Sequence, residues 1–181
     1  MQYELDAYDH ITAVDKDWDV FATVNGAPHL SGGAVVGDSI WTHITGKESQ
    51  YIHQELFAKA RQTQQTVSVP FRCDAPHERR FLCMDITPGP HDHLVIRINI
   101  IKLDPRPAVA LLSQERPALD EYLKVCSWCK SVQLPDGNWV EVEQAVELLG
   151  LFDGPLPRIS HGICQGCLHR FSEELGLDLG Q

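Results

Sequence analysis

The chain has 181 residues, 43 % of them hydrophobic and 22 % charged, which is the composition of a folded globular protein and not of a disordered one. Asp and Glu outnumber Lys and Arg by 25 to 15, a net charge of −10, and this argues against duplex nucleic acid as a partner because phosphate binding needs a cationic surface. No apolar run approaches the roughly 18 residues of a membrane span, and the start, Met1-Gln-Tyr-Glu-Leu-Asp6, lacks the basic and apolar segments of a secretory leader, so a cytoplasmic protein is expected.

Residues 11–15 form a short β-like run. Trp18, Phe21, Ala22 and Asn25 then fall at i, i+3, i+4 and i+7, one face of a short helix. Gly26, Pro28, Gly32, Gly33 and Gly37 punctuate a loop. Ile52, Leu56 and Ala60 lie on one stripe and predict a helix over 49–62. Three strands are expected next. Over 66–73, Val67, Val69, Phe71 and Cys73 alternate. Over 81–87, Leu82, Met84 and Ile86 share a face. Over 94–103, Leu94, Ile96, Ile98 and Ile100 share a face. Pro105, Pro107 and Pro117 mark 105–117 as a connector. Beyond it, 130–142 reads as a hairpin around Pro135-Asp-Gly-Asn138, 143–149 as a helix and 165–175 as a final helix. The expected fold class is α+β.

The first part resembles a PAS domain in the order of its elements. At residue level, Trp18-Asp-Val-Phe-Ala-Thr-Val-Asn25, Val36-Gly-Asp-Ser-Ile-Trp41 and Pro70-Phe-Arg-Cys-Asp-Ala-Pro76 with Arg79-Arg80 resemble a PAS-like family of bacterial signalling proteins. The resemblance covers roughly residues 5–104. It implies an antiparallel sheet with flanking helices, a cavity for a small-molecule ligand and a tendency to pair as a homodimer. Trp18, Phe21 and Trp41 are expected to be core residues.

The six cysteines carry the strongest chemical signal. Cys126-Ser-Trp-Cys129 and Cys164-Gln-Gly-Cys167 are two Cys-x-x-Cys turns 34 residues apart. Each turn lets two sulfurs converge on one ion, and two turns complete the tetrahedral thiolate shell that zinc prefers. Four protein ligands close the site, so the metal is expected to hold the fold and leave no position for catalysis. A redox dithiol and a rubredoxin-like iron centre are the alternative readings of the same cysteines. His161, three residues before Cys164, is expected beside the shell and not in it. A turn, a hairpin and a helix whose first turn supplies the last two ligands form a treble-clef-like arrangement.

Cys126-Ser-Trp-Cys-Lys130, Gly137-Asn-Trp139 and Ser160-His-Gly-Ile-Cys164 with Cys167 also resemble a short zinc module found behind PAS, GAF or receiver domains in bacterial signal-transduction proteins. It covers roughly 122–171. Gln165-Gly166 stands where that module commonly has proline followed by another residue, which spares the ligands, and an insertion around 151–157 lengthens the loop before the second pair. The expected organisation is therefore a PAS-like domain over 1–104, a connector over 105–117 and a four-cysteine zinc module over 118–181.

Outside the cysteines the candidates are few. His53 lies on the long helix, in the region from which haem-binding PAS domains take a ligand, and is the haem candidate. His91-Asp-His93 sits in a Pro/Gly turn and reads as a solvated loop. Cys73 and Cys83 read as core thiols. The acids Asp74, Glu78 and Asp85 near Arg72, Arg79 and Arg80 read as surface pairs. No glycine-rich phosphate loop, nucleophile elbow or kinase motif occurs, so no enzyme is expected. Together these features lead us to expect a signalling sensor or adaptor that works through a protein partner, with a thiol-based zinc switch and a haem sensor as alternatives.

Overall fold

The computed structural model describes residues 1–113, 118–152, 155–174 and 176. Within them the fold is α+β, with nine strands in two sheets. In the first half, β1 (Gln2–Leu5) and β2 (Ile11–Val14) precede α1 (Lys16–Val24), α2 (Gly32–Val35) and the long α3 (Lys47–Thr63). Strands β3 (Val67–Arg72), β4 (Glu78–Pro88) and β5 (Leu94–Pro105) follow. They form a five-stranded sheet in the order β2-β1-β5-β4-β3. In the second half, β6 (Ala118–Cys126), β7 (Val132–Gln133), β8 (Trp139–Val140), α4 (Val142–Leu148), β9 (Leu156–Gly162) and α5 (Gln165–Glu174) complete the chain.

The chain forms two compact units. The first comprises Met1–Thr45, Gln50–Pro70 and Cys83–Asn99; the second comprises Gly46–Ser49, Phe71–Leu82 and Ile100–Gln181. This division differs from the expected one at 105–117. The far end of β3 and the start of β4 belong to the second unit, although their sequence pattern is that of the first sheet.

In the first unit the local signals act as their chemistry dictates. The Asp15 carboxylate caps α1 by accepting the Trp18 N–H at 3.1 Å, and Asp17 and Asp19 place negative charge in the first turn. Ile52, Leu56 and Ala60 are buried along one face of α3, with Phe57 beside them. Gly32 is required by close approach: a methyl group there would stand 2.5 Å from Val14 Cγ2. Strand β1 was not expected from sequence, yet it is central, pairing antiparallel with both β2 and β5 and burying Tyr3 and Leu5. On β5, Leu94 and Ile96 are buried, but Ile98 is half-buried and Ile100 is 63 % exposed. The shared face continues past Ile96; the burial does not.

The second unit carries a four-stranded sheet in the order β8-β7-β6-β9. Strand β9 runs parallel to β6, with Leu123 opposite Ile159 and Cys126 opposite Gly162. Neither strand was expected from the sequence pattern. The hairpin around Pro135–Asn138 forms as expected, with Gly137 at a φ of 89° where a side chain would be strained. Val109, Leu111, Leu123, Val125, Val132, Val142, Ala145 and Leu156 make the apolar core. Val109 and Leu111 were expected in a connector; they are core residues instead, because the sheet of this unit needs their side chains for its own burial. Arg116 and Pro117 of that connector, the centre of the 151–157 insertion and Leu175 lie outside the described residues.

Candidate metal centre

Cys126 ends β6, and the chain turns at once: the Cys126 N–H donates to the Ser131 carbonyl at 2.8 Å, and the Lys130 N–H donates back to the Cys126 carbonyl at 3.1 Å. Lys130 has a φ of 65°, which reverses the chain and leaves Cys126 and Cys129 on the inside of the turn. The second pair is placed by a helix start. Cys164 precedes α5 and Cys167 lies in its first turn, where the Leu168 N–H bonds the Cys164 carbonyl at 3.0 Å. Free N–H groups at a helix start favour thiolate. Here the Cys167 N–H donates to Cys164 Sγ, and the Cys164 N–H donates to Cys126 Sγ, each at 3.4 Å.

The four sulfur atoms of Cys126, Cys129, Cys164 and Cys167 all lie within 4.8 Å of one another. Cys129 Sγ and Cys164 Sγ are 3.6 Å apart, and no disulfide joins any pair. A tetrahedral ion with metal–sulfur bonds of about 2.3 Å would set its sulfurs about 3.8 Å apart, so the set fits a metal ion. Three of the cysteines are buried and Cys129 is half-buried. Their protons are strongly interdependent. Hydrogen bonding from Cys129, Cys164 and Cys167 holds the Cys126 thiol far below its ordinary range, whereas hydrogen bonding with Cys126, Cys129 and Cys164 pushes Cys167 far above it. Four thiolates this close repel one another, and a divalent cation is what lets all four lose their protons.

The residues around the cluster add polar support. The Ser131 hydroxyl lies 3.2 Å from Cys129 Sγ. The Lys130 ammonium donates to the Ser127 carbonyl at 2.8 Å, and its burial lowers its proton affinity against the pull of Cys73, Cys126, Asp74 and Cys129. His161 is exposed, stands opposite Val125 on β9 and is not part of the four-residue cluster. Trp128, inside the first turn, is buried, with its ring edge-on to Phe71 and to Phe171.

The second unit also holds an ion network that its sequence did not announce. The Arg72 guanidinium is bidentate to Asp74 and reaches both oxygens of Glu141 at 2.8 and 2.9 Å. Arg106 bonds Asp74 at 3.2 Å, Glu143 at 2.9 Å and the Ala75 carbonyl at 2.9 Å, and Arg79 bonds Glu143 at 2.8 Å. The Asp74 side chain is 0 % exposed and that of Arg106 is 3 % exposed. The expected surface pairing of Asp74 is therefore corrected: it is a fully buried carboxylate held between two guanidinium groups. The Arg72 partner, two positions away, is local, but the burial depends on Arg106, which arrives from another part of the chain.

The other candidates have no ligand set around them among the described residues. His53 is half-buried on α3, its ring edge-on to Phe57 at 6.0 Å. His91 and His93 are exposed, and His91 and Asp92 both have left-handed backbone. Cys73 and Cys83, expected in the core, are half-buried, and Cys83 Sγ lies 3.6 Å from Asp85 Oδ1. Trp18, Phe21 and Trp41 are half-buried as well; the Trp18 indole donates to the Leu30 carbonyl at 2.7 Å. Among the described residues no helix is long and apolar enough to cross a membrane. No protein-family model and no curated protein matches the chain.

Proposed function

We propose that this protein is a sensor or adaptor of bacterial signal transduction, acting by ligand and protein binding through a PAS-like domain and stabilised by a structural four-cysteine zinc site. The observation that carries the metal half of this reading is the convergence of four cysteine sulfurs, from two turns 34 residues apart, within 4.8 Å. Zinc suits the set because it is borderline-soft and accepts tetrahedral thiolate. Cys126, Cys129, Cys164 and Cys167 fill all four positions, which assigns the ion a role in folding and none in catalysis.

The sensor half is supported by the order of elements in the first unit, with short strands, small helices, one long helix and then antiparallel strands, and by the motifs around Trp18, Trp41 and Pro70. In this reading a small molecule binds between sheet and helices, the chain pairs with itself, and the signal leaves by contact with a partner protein in the cytoplasm. A second reading, a thiol-based zinc switch, is favoured by one feature of the cluster: Cys129, the half-buried member, lies 3.6 Å from Cys164, so an oxidant could join the two as a disulfide and discharge the ion.

The deciding experiment is metal analysis by mass spectrometry of protein purified without added metal, with an absorbance scan and light scattering of the same sample. One zinc per chain in a colourless, dimeric sample supports the reading. Iron with thiolate charge-transfer bands replaces zinc. A Soret band makes the protein a haem sensor and His53 the first residue to mutate. Absence of any metal, with oxidised cysteines, overturns the structural site. Zinc lost at mild peroxide together with helix signal moves the reading to the switch.

A further inference from the structure

Two attachments from one distant segment converge on the residue in the middle of the first cysteine turn. The Arg72 N–H donates to the Trp128 carbonyl at 2.7 Å. The Trp128 ring meets Phe71 edge-on at 6.2 Å and Phe171 edge-on at 4.9 Å. Phe171 belongs to α5, the helix whose first turn carries Cys167. One tryptophan thus touches both the helix of the second cysteine pair and the segment that begins at Phe71. That segment is itself stiff, because the Arg72 guanidinium ties it to Asp74 and to Glu141, the residue that precedes α4.

We propose that Trp128 is a metal-dependent latch: an ion held by the four cysteines fixes the Trp128 carbonyl and ring, and these hold the Arg72 amide and the Phe71 ring, a hold that is lost when the ion leaves. The inference rests on the four-cysteine metal reading. Two ligands within four residues leave the Cys126–Cys129 turn almost no freedom while the ion is bound. Without it the turn regains backbone conformations that the bound state had excluded. Both attachments ride on a single residue, so they are lost together and not one at a time. Metal occupancy would then be read at a stretch of chain that supplies no metal ligand.

The test is hydrogen exchange followed by mass spectrometry on the full chain. It is run as purified with its metal content measured, after chelation under reducing conditions, and after zinc is added back. The expected result is that the Arg72 amide exchanges at least about tenfold faster after chelation and recovers with zinc, while residues 52–60 of α3 are unchanged. If the cysteine turn exchanges faster and Arg72 does not, the latch fails and the metal site stands. If 52–60 accelerates as much as Arg72, the chain unfolds as a whole and the latch is overturned. If neither purified nor zinc-supplemented protein holds metal, the reading beneath the inference fails with it. Phe71→Leu, which leaves every cysteine in place, should retain one metal per chain and already exchange faster at Arg72 with metal bound; an unchanged rate removes the ring from the latch.

Discussion

In the first unit the buried surface is aliphatic and aromatic: Ile52, Leu56, Phe57 and Ala60 of α3, Met84 and Ile86 of β4, Leu94 and Ile96 of β5. In the second unit a core of valines, leucines and one alanine, with the buried rings of Trp128 and Phe171, is joined by four clustered cysteines and a buried ion network. Among the described residues, the polar or charged residues buried over backbone and side chain together, Ser49 and Arg72, both belong to the second unit. The difference follows from what each stretch of chain has available. A 17-residue amphipathic helix and alternating strands can bury enough apolar area by themselves. The second unit, whose strands β7 and β8 are two residues each, adds cohesion of another kind: paired buried charge, and four clustered cysteines that could hold a metal ion.

This contrast can be broken at four points, in order of expected effect. Cys126→Ser removes a ligand from a site whose ion would contribute on the order of 10 kcal/mol of binding free energy. We expect metal stoichiometry to fall to zero and exchange protection to be lost over β6 and α5 while α3 keeps its own. A variant that retains metal and protection would place the cohesion of the second unit elsewhere. Asp74→Ala removes the buried carboxylate shared by Arg72 and Arg106 and leaves them Glu141 and Glu143; removing one partner of a buried pair costs up to about 3–5 kcal/mol. The urea midpoint reports it, and Asp74→Ala combined with Arg106→Met should recover part of the loss.

Leu56→Ala, in the first unit, deletes a fully buried side chain and is expected to cost about 2–5 kcal/mol with metal content unchanged. If metal is lost as well, the two units do not owe their stability to separate chemistries. The smallest effect is pH-dependent. Burial raises the Glu143 proton affinity, but its own backbone N–H, Arg106 and Arg79 lower it by more, so the carboxyl sits below its ordinary range. A depressed carboxylate contributes its full stability above the unfolded value, about 4.3, and loses it as pH falls through the lower folded value. Urea midpoints of the native chain should therefore fall on acidification below about pH 4.3 more steeply than those of Glu143→Gln. Equal slopes would show that Glu143 gives the network no net stability.

The sequence alone determined what depends on short-range chemistry. The α3 stripe, the apolar face of α1 and the Pro135–Asn138 turn act over a few residues, and each element formed where its pattern lies. The four-cysteine cluster was legible for a related reason: two Cys-x-x-Cys turns bring their own sulfurs together locally and leave only one long-range closure to be made. Tertiary structure alone decided the rest. Strands β1, β6 and β9 owe their existence to neighbours, as when β9 lies parallel beside β6 across an intervening hairpin and helix. Val109 and Leu111 read as linker because prolines flank them, yet they are buried because a sheet elsewhere in the chain lacked apolar cover. The same holds for Asp74, whose carboxylate is stable out of water only because two arginines, one of them 32 positions further on, arrive at it. Patterns within a few residues report on backbone geometry and local sterics; which distant charge meets which, and where one unit ends, is settled by desolvation once the chain has closed on itself.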